Sequence, residues 1–168
     1  KTRSRATIKN GTTEGSYTLT ENPKYADVRT KTVYYQVTKA GYTTVTGSKT
    51  ITITKAAGSV TAPTAKTLTY TGSAQALVNA GSSSTGTIQY KLGTGTYSTD
   101  LPSATTAGTY TVYYKVVGDK NHKDVAEQSI SVTIGKKDGS VTAPTAKTLA
   151  WTGSSQTLIN AGDRKSVV

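Results

Sequence analysis

His122 is the only histidine in the 168-residue chain, and cysteine is absent. It sits in a polar run, Gly118-Asp-Lys-Asn-His-Lys-Asp124. Asp119 and Asp124 flank it closely enough to orient an imidazole. A lone histidine in a polar loop is nevertheless read as a solvated residue, because a Ser-His-Asp set needs a nucleophile placed by the fold. Asp119, Asn121 and Asp124 also space oxygen donors along one loop, which is how a chain offers ligands to Ca²⁺. Lys120 and Lys123 put positive charge between those donors, so no metal and no cofactor is expected there.

Tyrosine is the other chemically useful side chain. There are 11 Tyr and one Trp, with no Phe. Tyr34, Tyr42, Tyr97 and Tyr113 are candidates for stacking on a sugar face, since a tyrosine ring offers apolar area with a polar tip. The competing reading for each is cross-strand packing. Gly93-Thr94-Gly95 reads as a hairpin turn and not as a phosphate loop, because no helix follows it. Glycoside hydrolysis needs two convergent carboxylates, whereas Asp100, Asp119, Asp124, Glu127 and Asp138 fall mostly in predicted loops. A Lys–Asn crosslink assisted by an acid would draw on Lys66, Asn79 and Glu127, but a lysine at the mouth of a strand more commonly snorkels. No residue set suffices for an enzyme.

The net charge of +11 resolves into unequal parts. Residues 1–57 carry +7, residues 58–138 carry +2, and residues 139–162 and 163–168 carry +1 each. The nearly balanced middle segment has no basic stripe interleaved with stacking aromatics, so nucleic acid is not an expected partner. No apolar run approaches the ~18 residues of a membrane helix, and no membrane insertion is expected. The chain begins with Lys1, so the start of a longer protein, with any signal peptide, is expected to precede it.

An internal repeat organises the chain. Residues 58–81 read GSVTAPTAKTLTYTGSAQALVNAG, and residues 139–162 read GSVTAPTAKTLAWTGSSQTLINAG; 19 of 24 positions are identical. The substitutions, among them Tyr70 to Trp151 and Val78 to Ile159, mostly preserve size or aromatic character. A second match links Thr32-Val-Tyr-Tyr-Gln-Val37 to Thr111-Val-Tyr-Tyr-Lys-Val116, and Thr50-Ile-Thr-Ile53 to Ser131-Val-Thr-Ile134. Residues 1–57 are therefore read as the back part of one repeat and 58–138 as a complete repeat. Residues 139–162 are read as the front of a third. Residues 163–168 match nothing in the earlier copy and are read as an artefactual tail. The linkers are too short for freely tumbling domains.

Alternation places the strands. Leu68 and Tyr70 face one way, as do Ile88, Tyr90 and Leu92. So do Tyr110, Val112, Tyr114 and Val116, and Ile130, Val132 and Ile134. Residues 76–80 form a further strand, and Leu101-Pro102 marks an edge because proline cannot donate to a ladder. About seven short strands result, and with no helix available the apolar faces need a second sheet. The expected class is all-β, a sandwich. Gly108-Thr-Tyr-Thr-Val112 places Tyr110 at a strand start, as in a tyrosine corner, whose hydroxyl bonds to backbone just upstream.

The string APTAKTLTYTGSAQAL, followed by AGTYTVYYKV and SISVTI, resembles the bacterial immunoglobulin-like repeats of large surface proteins, especially those of gut bacteria. The resemblance implies immunoglobulin-like β-sandwich repeats in tandem, one complete and two partial. It also implies a structural or adhesive role as stalk or spacer on an extracellular or cell-surface bacterial protein, with neighbouring repeats of the same chain and host or cell-wall glycans as partners. The alternative is a carbohydrate-binding module using exposed tyrosines. The front strands that residues 1–57 lack are of the type found in residues 139–162, so strand donation between copies is expected.

Overall fold

The computed structural model describes residues 6–162. The chain is all-β: no helix occurs among the described residues, and 48% of residues lie in strands. Two compact units form. The first comprises the chain up to Ala62 together with Gly81–Gln89 and Tyr114–Gln128; the second comprises Pro63–Ala80, Tyr90–Tyr113 and the chain from Ser129.

In the first unit β1 (Thr7–Gly11), β2 (Arg29–Thr38) and β3 (Val45–Ile53) form an antiparallel sheet in the order β1-β2-β3. Threonines on its outer face pair across the strands. Thr30 and Thr52, and Thr32 and Thr50, share Oγ1–Oγ1 hydrogen bonds of 3.0 Å. Such cross-strand pairs contribute about 0.2–1 kcal/mol each and help so threonine-rich a sheet to pair.

After β3, short strands β4 (Thr64–Ala65), β5 (Leu68–Thr69), β6 (Gln75–Ala76) and β7 (Val78–Asn79) precede β8 (Gly86–Leu92), β9 (Ser103–Ala104), β10 (Gly108–Gly118) and β11 (Val125–Gly135), of which β8, β10 and β11 each have residues in both units. A four-stranded sheet has the order β5-β11-β10-β8. β5 pairs parallel to the end of β11, with Leu68 opposite Ile134, and Tyr70 N donates to Gly135 O at 2.8 Å. A separate group of pairings runs through residues 75–79: β4 pairs antiparallel with β7, and β6 with β9. The chain thus leaves one group of strands at Lys66 and enters the other at Leu68.

Sequence alternation predicts one inward face for these strands. Val112, Tyr114 and Val116 of β10, Val132 and Ile134 of β11, and Tyr90 of β8 are indeed buried. Leu68, Tyr70, Ile88, Leu92 and Ile130 are half-buried. Residues 76–80 depart from the expected simple strand, for Leu77 and Val78 are neighbours and both fully buried. Leu77 N donates to Pro102 O at 2.9 Å, while Leu77 O accepts from Lys66 N at 3.0 Å. Its amide and carbonyl serve different partner segments, as at a bulge, and the period of two slips there by one residue.

Tyr110 makes the bond expected of it. Its hydroxyl donates to Thr106 O at 2.8 Å and lies 3.0 Å from Thr106 Oγ1. Tyr110→Phe removes one hydrogen bond and little area, so a loss of about 0.5–1.5 kcal/mol is expected. Thermal unfolding then shifts down by roughly 4–8 °C per kcal/mol for a domain of this size. An unchanged midpoint would show that the bond contributes nothing.

The segment from Ser129 onward also contains β12 (Thr145–Ala146) and β13 (Ile159–Asn160), paired antiparallel. They reproduce β4 and β7 bond for bond. Lys147 N donates to Leu158 O as Lys66 N does to Leu77 O. Asn160 Nδ2 reaches Thr145 Oγ1 as Asn79 Nδ2 reaches Thr64 Oγ1. Gln156 Nε2 donates to Ala150 O as Gln75 Nε2 donates to Thr69 O. Gly153 and Gly72 both adopt left-handed φ, 76° and 81°, which a residue with a Cβ adopts only at a cost.

Candidate functional site

The polar loop between β10 and β11 lies within the first unit and folds on itself. Asp119 Oδ1 accepts from the Asn121 and His122 amides at 2.8 and 2.9 Å, and from His122 Nδ1 at 2.7 Å. Asp124 Oδ1 accepts from Gly118 N at 2.8 Å and so closes the loop. Asn121 turns the other way: its Oδ1 accepts from Val28 N at 3.0 Å and its Nδ2 donates to Asp27 Oδ1 at 3.1 Å. The oxygens of the three residues singled out in the sequence therefore each serve different backbone or side-chain donors. Among the described residues no group of three or more His, Asp or Glu converges on a point that could hold a metal.

The same loop binds the segment that leads into the complete repeat. Asn121 O accepts from Ala56 N at 2.9 Å, Lys123 N donates to Ala56 O at 2.8 Å, and Lys55 Nζ donates to Asp119 O at 2.9 Å. Lys120 Nζ lies 3.1 Å from Asp27 Oδ1. Gly58 lets the chain pass close to Lys123 O and Val125, where a Cβ would collide with the carbonyl. Residues 55–59 are thus fastened at several points and not merely short. Nothing in the local sequence announces this, because Asn121 and Val28 are 93 residues apart.

These bonds have an electrostatic signature. Hydrogen bonding from His122, and then from the Asn121 amide, holds the Asp119 carboxyl below its ordinary value. The Asn121 side chain, and then Lys120, lower Asp27. A carboxylate with a lowered folded-state pKa stabilises the fold above its unfolded value, near 4, and that contribution is lost as pH falls through the lowered value. The Asn121 side-chain amide resonances are expected to stay constant on acidification to about pH 4 and to shift only below it. A shift at higher pH, with the carboxylates still charged, would contradict this arrangement.

The tyrosine candidates separate into two sets. In the second unit Lys91 Nζ sits 4.8 Å from the Tyr97 ring centroid and 4.9 Å from that of Tyr113. One ammonium therefore joins two half-buried rings. Tyr113 alternates with buried Val112 and Tyr114, so the group lies on the face of β10 away from the core. Tyr42 is exposed on the turn between β2 and β3, with Lys39 Nζ 4.4 Å over its ring. Tyr34 is half-buried within β2, opposite Gly11 and Ser48. The structure brings Tyr97 and Tyr113 together; Lys91, which completes that group, carries no sequence signal beyond its alternation with Tyr90.

No family model, no curated protein and no solved structure matches this chain. Asn79 is exposed and its amide donates to Thr64 Oγ1, unlike the enclosed setting in which a Lys–Asn crosslink forms. What the molecule presents is an aromatic-cationic surface on β10 and a reinforced connection at residues 55–59.

Proposed function

We propose that the chain is a structural and adhesive segment of tandem immunoglobulin-like β-sandwich repeats, a stalk or spacer of a bacterial cell-surface or secreted protein, and not an enzyme. The observation that carries this reading is the strand arrangement of the complete repeat. One group has residues 75–79 paired on either side, and the other has β5 beside β11, β10 and β8. This separation of strands into two groups supports a two-layer, immunoglobulin-like reading, as does the Tyr110 corner. The fastening of residues 55–56 to the loop at 119–123 suits a repeat whose task is to hold its neighbour in place. Residual dipolar couplings in solution test the layered packing. Couplings from β4, β7 and β9 that fit no orientation facing the β10–β11 sheet would refute it.

A second reading, a carbohydrate-binding module, is favoured by the Lys91–Tyr97–Tyr113 group. Glycans of a bacterial wall or a host surface are the ligands that such rings stack on. A glycan-array screen of the chain beside Tyr113→Ala tests it. A binder lost on substitution supports the module, and identical profiles leave the spacer role alone.

A further inference from the structure

Equivalent positions of the repeat differ sharply in burial. Leu77 and Val78 are fully buried in the complete repeat, whereas their counterparts Leu158 and Ile159 are 69% and 50% exposed. Val132 is 2% exposed, whereas its counterpart Ile51 is 49% exposed. Trp151, in the place of half-buried Tyr70, is 92% exposed. Two apolar surfaces therefore lie open in one molecule, at positions whose counterparts in residues 58–138 are buried.

The acceptor half is well defined. The sheet β1-β2-β3 is the counterpart of β8-β10-β11, with Val33 and Ile53 in the places of Val112 and Ile134. In the complete repeat the edge of β11 carries β5, whereas β3 pairs only with β2 among the described residues. Over the face of β2 and β3 is a groove of about 320 Å³ lined by Pro23, Tyr25, Val33, Ile51 and Ile53, with Lys24, Arg29 and Lys31 around it. The donor half is already shaped, since β12 and β13 reproduce the hydrogen bonding of β4 and β7.

We propose that the occupant of this face is residues 139–162 of a second copy of the chain. The complete repeat supplies the docking geometry. Leu149 and Ala150 pair parallel with Ile53 and Thr54, as Leu68 and Thr69 pair with Ile134 and Gly135. Leu158 and Ile159 then cover Val33, Ile51 and Ile53. Donor and acceptor are different surfaces, so the contact is heterologous and each copy can both give and receive, building open head-to-tail chains. Apolar sheet faces and free strand edges are what such pairing removes from water. This pairing rests on the proposed layered packing of residues 58–138, and not on the cell-surface role.

The single tryptophan makes the test direct. Sedimentation velocity and tryptophan emission are followed over a dilution series of the 168-residue chain. The expected result is a mass rising beyond dimer with concentration, together with a blue shift as Trp151 leaves water. Ile51→Asp blocks the acceptor and Leu158→Asp the donor, and neither position lies in the core of the complete repeat. Each variant alone is expected to be monomeric at concentrations where the parent assembles. An equimolar mixture is expected to give a dimer and nothing larger, because only one productive pairing remains. A parent that stays monomeric throughout overturns the proposal, as does emission that is blue-shifted and unmoved by dilution, the sign of the segment folding back within one chain. Variants that assemble like the parent, or a mixture that stays monomeric, overturn it equally.

Discussion

Leu77→Ala is expected to cost about 2–5 kcal/mol of unfolding free energy, while Leu158→Ala, the same residue in the same repeat position, stays within about 0.5 kcal/mol. Leu77 is fully buried where the strand changes partner, and truncating it leaves a hole in a core made of few large side chains. Leu158 sits in an identical local ladder with nothing over it in a single chain. Denaturant unfolding at high dilution, where copies remain apart, measures both. Because the helix- and strand-forming tendencies of the two sites are the same, the difference isolates tertiary burial. Equal losses at the two sites would mean that the second copy of the segment has a core of its own.

Asn121→Ala is the second large effect. The substitution takes the acceptor from the half-buried Val28 amide and the first hydrogen-bonding partner from Asp27. A partly buried donor left without its acceptor costs about 1–3 kcal/mol. The loss is expected to be local. Hydrogen exchange at Val28 and Ala56 should accelerate, while the amides of Val112 and Val132 keep their protection, since both are buried core positions with no bond to Asn121. Uniform acceleration throughout would mean that the loop is part of the global core. Unchanged exchange at Val28 would mean that its amide is protected by something other than Asn121.

The all-β class was legible because the signals are local. The alternation at 112, 114 and 116, and again at 132 and 134, names the buried face correctly, and Tyr110 was identifiable from its place at a strand start beside Gly108. Alternation fails at Leu77 because the phase change there depends on two partners, Lys66 and Pro102, that no periodicity encodes. Polar sites were read less well. Asp119, Asn121 and Asp124 have the spacing of ligands, yet the chain uses them to close a loop and to hold residues 27, 28 and 56, a use that only long-range pairing creates. Tyr97 and Tyr113 were recognisable as surface rings, but the ammonium between them comes from a strand whose register had to be known first. The sequence repeat, by contrast, revealed which positions correspond, and those correspondences give the burial contrasts their meaning.

The parallel pairing of β5 with β11 has a mechanical consequence. Because the pair is parallel, the chain enters β5 at one end of it and leaves β11 at the opposite end, so tension along the chain pulls the two strands past each other along their length. The bonds at Leu68, Thr69 and Tyr70 are then strained in unison and must rupture together. An antiparallel hairpin pulled from its open end would lose them in turn, like a zipper. A chain clamped in this way would resist a sudden tug up to a threshold and then yield in one abrupt extension.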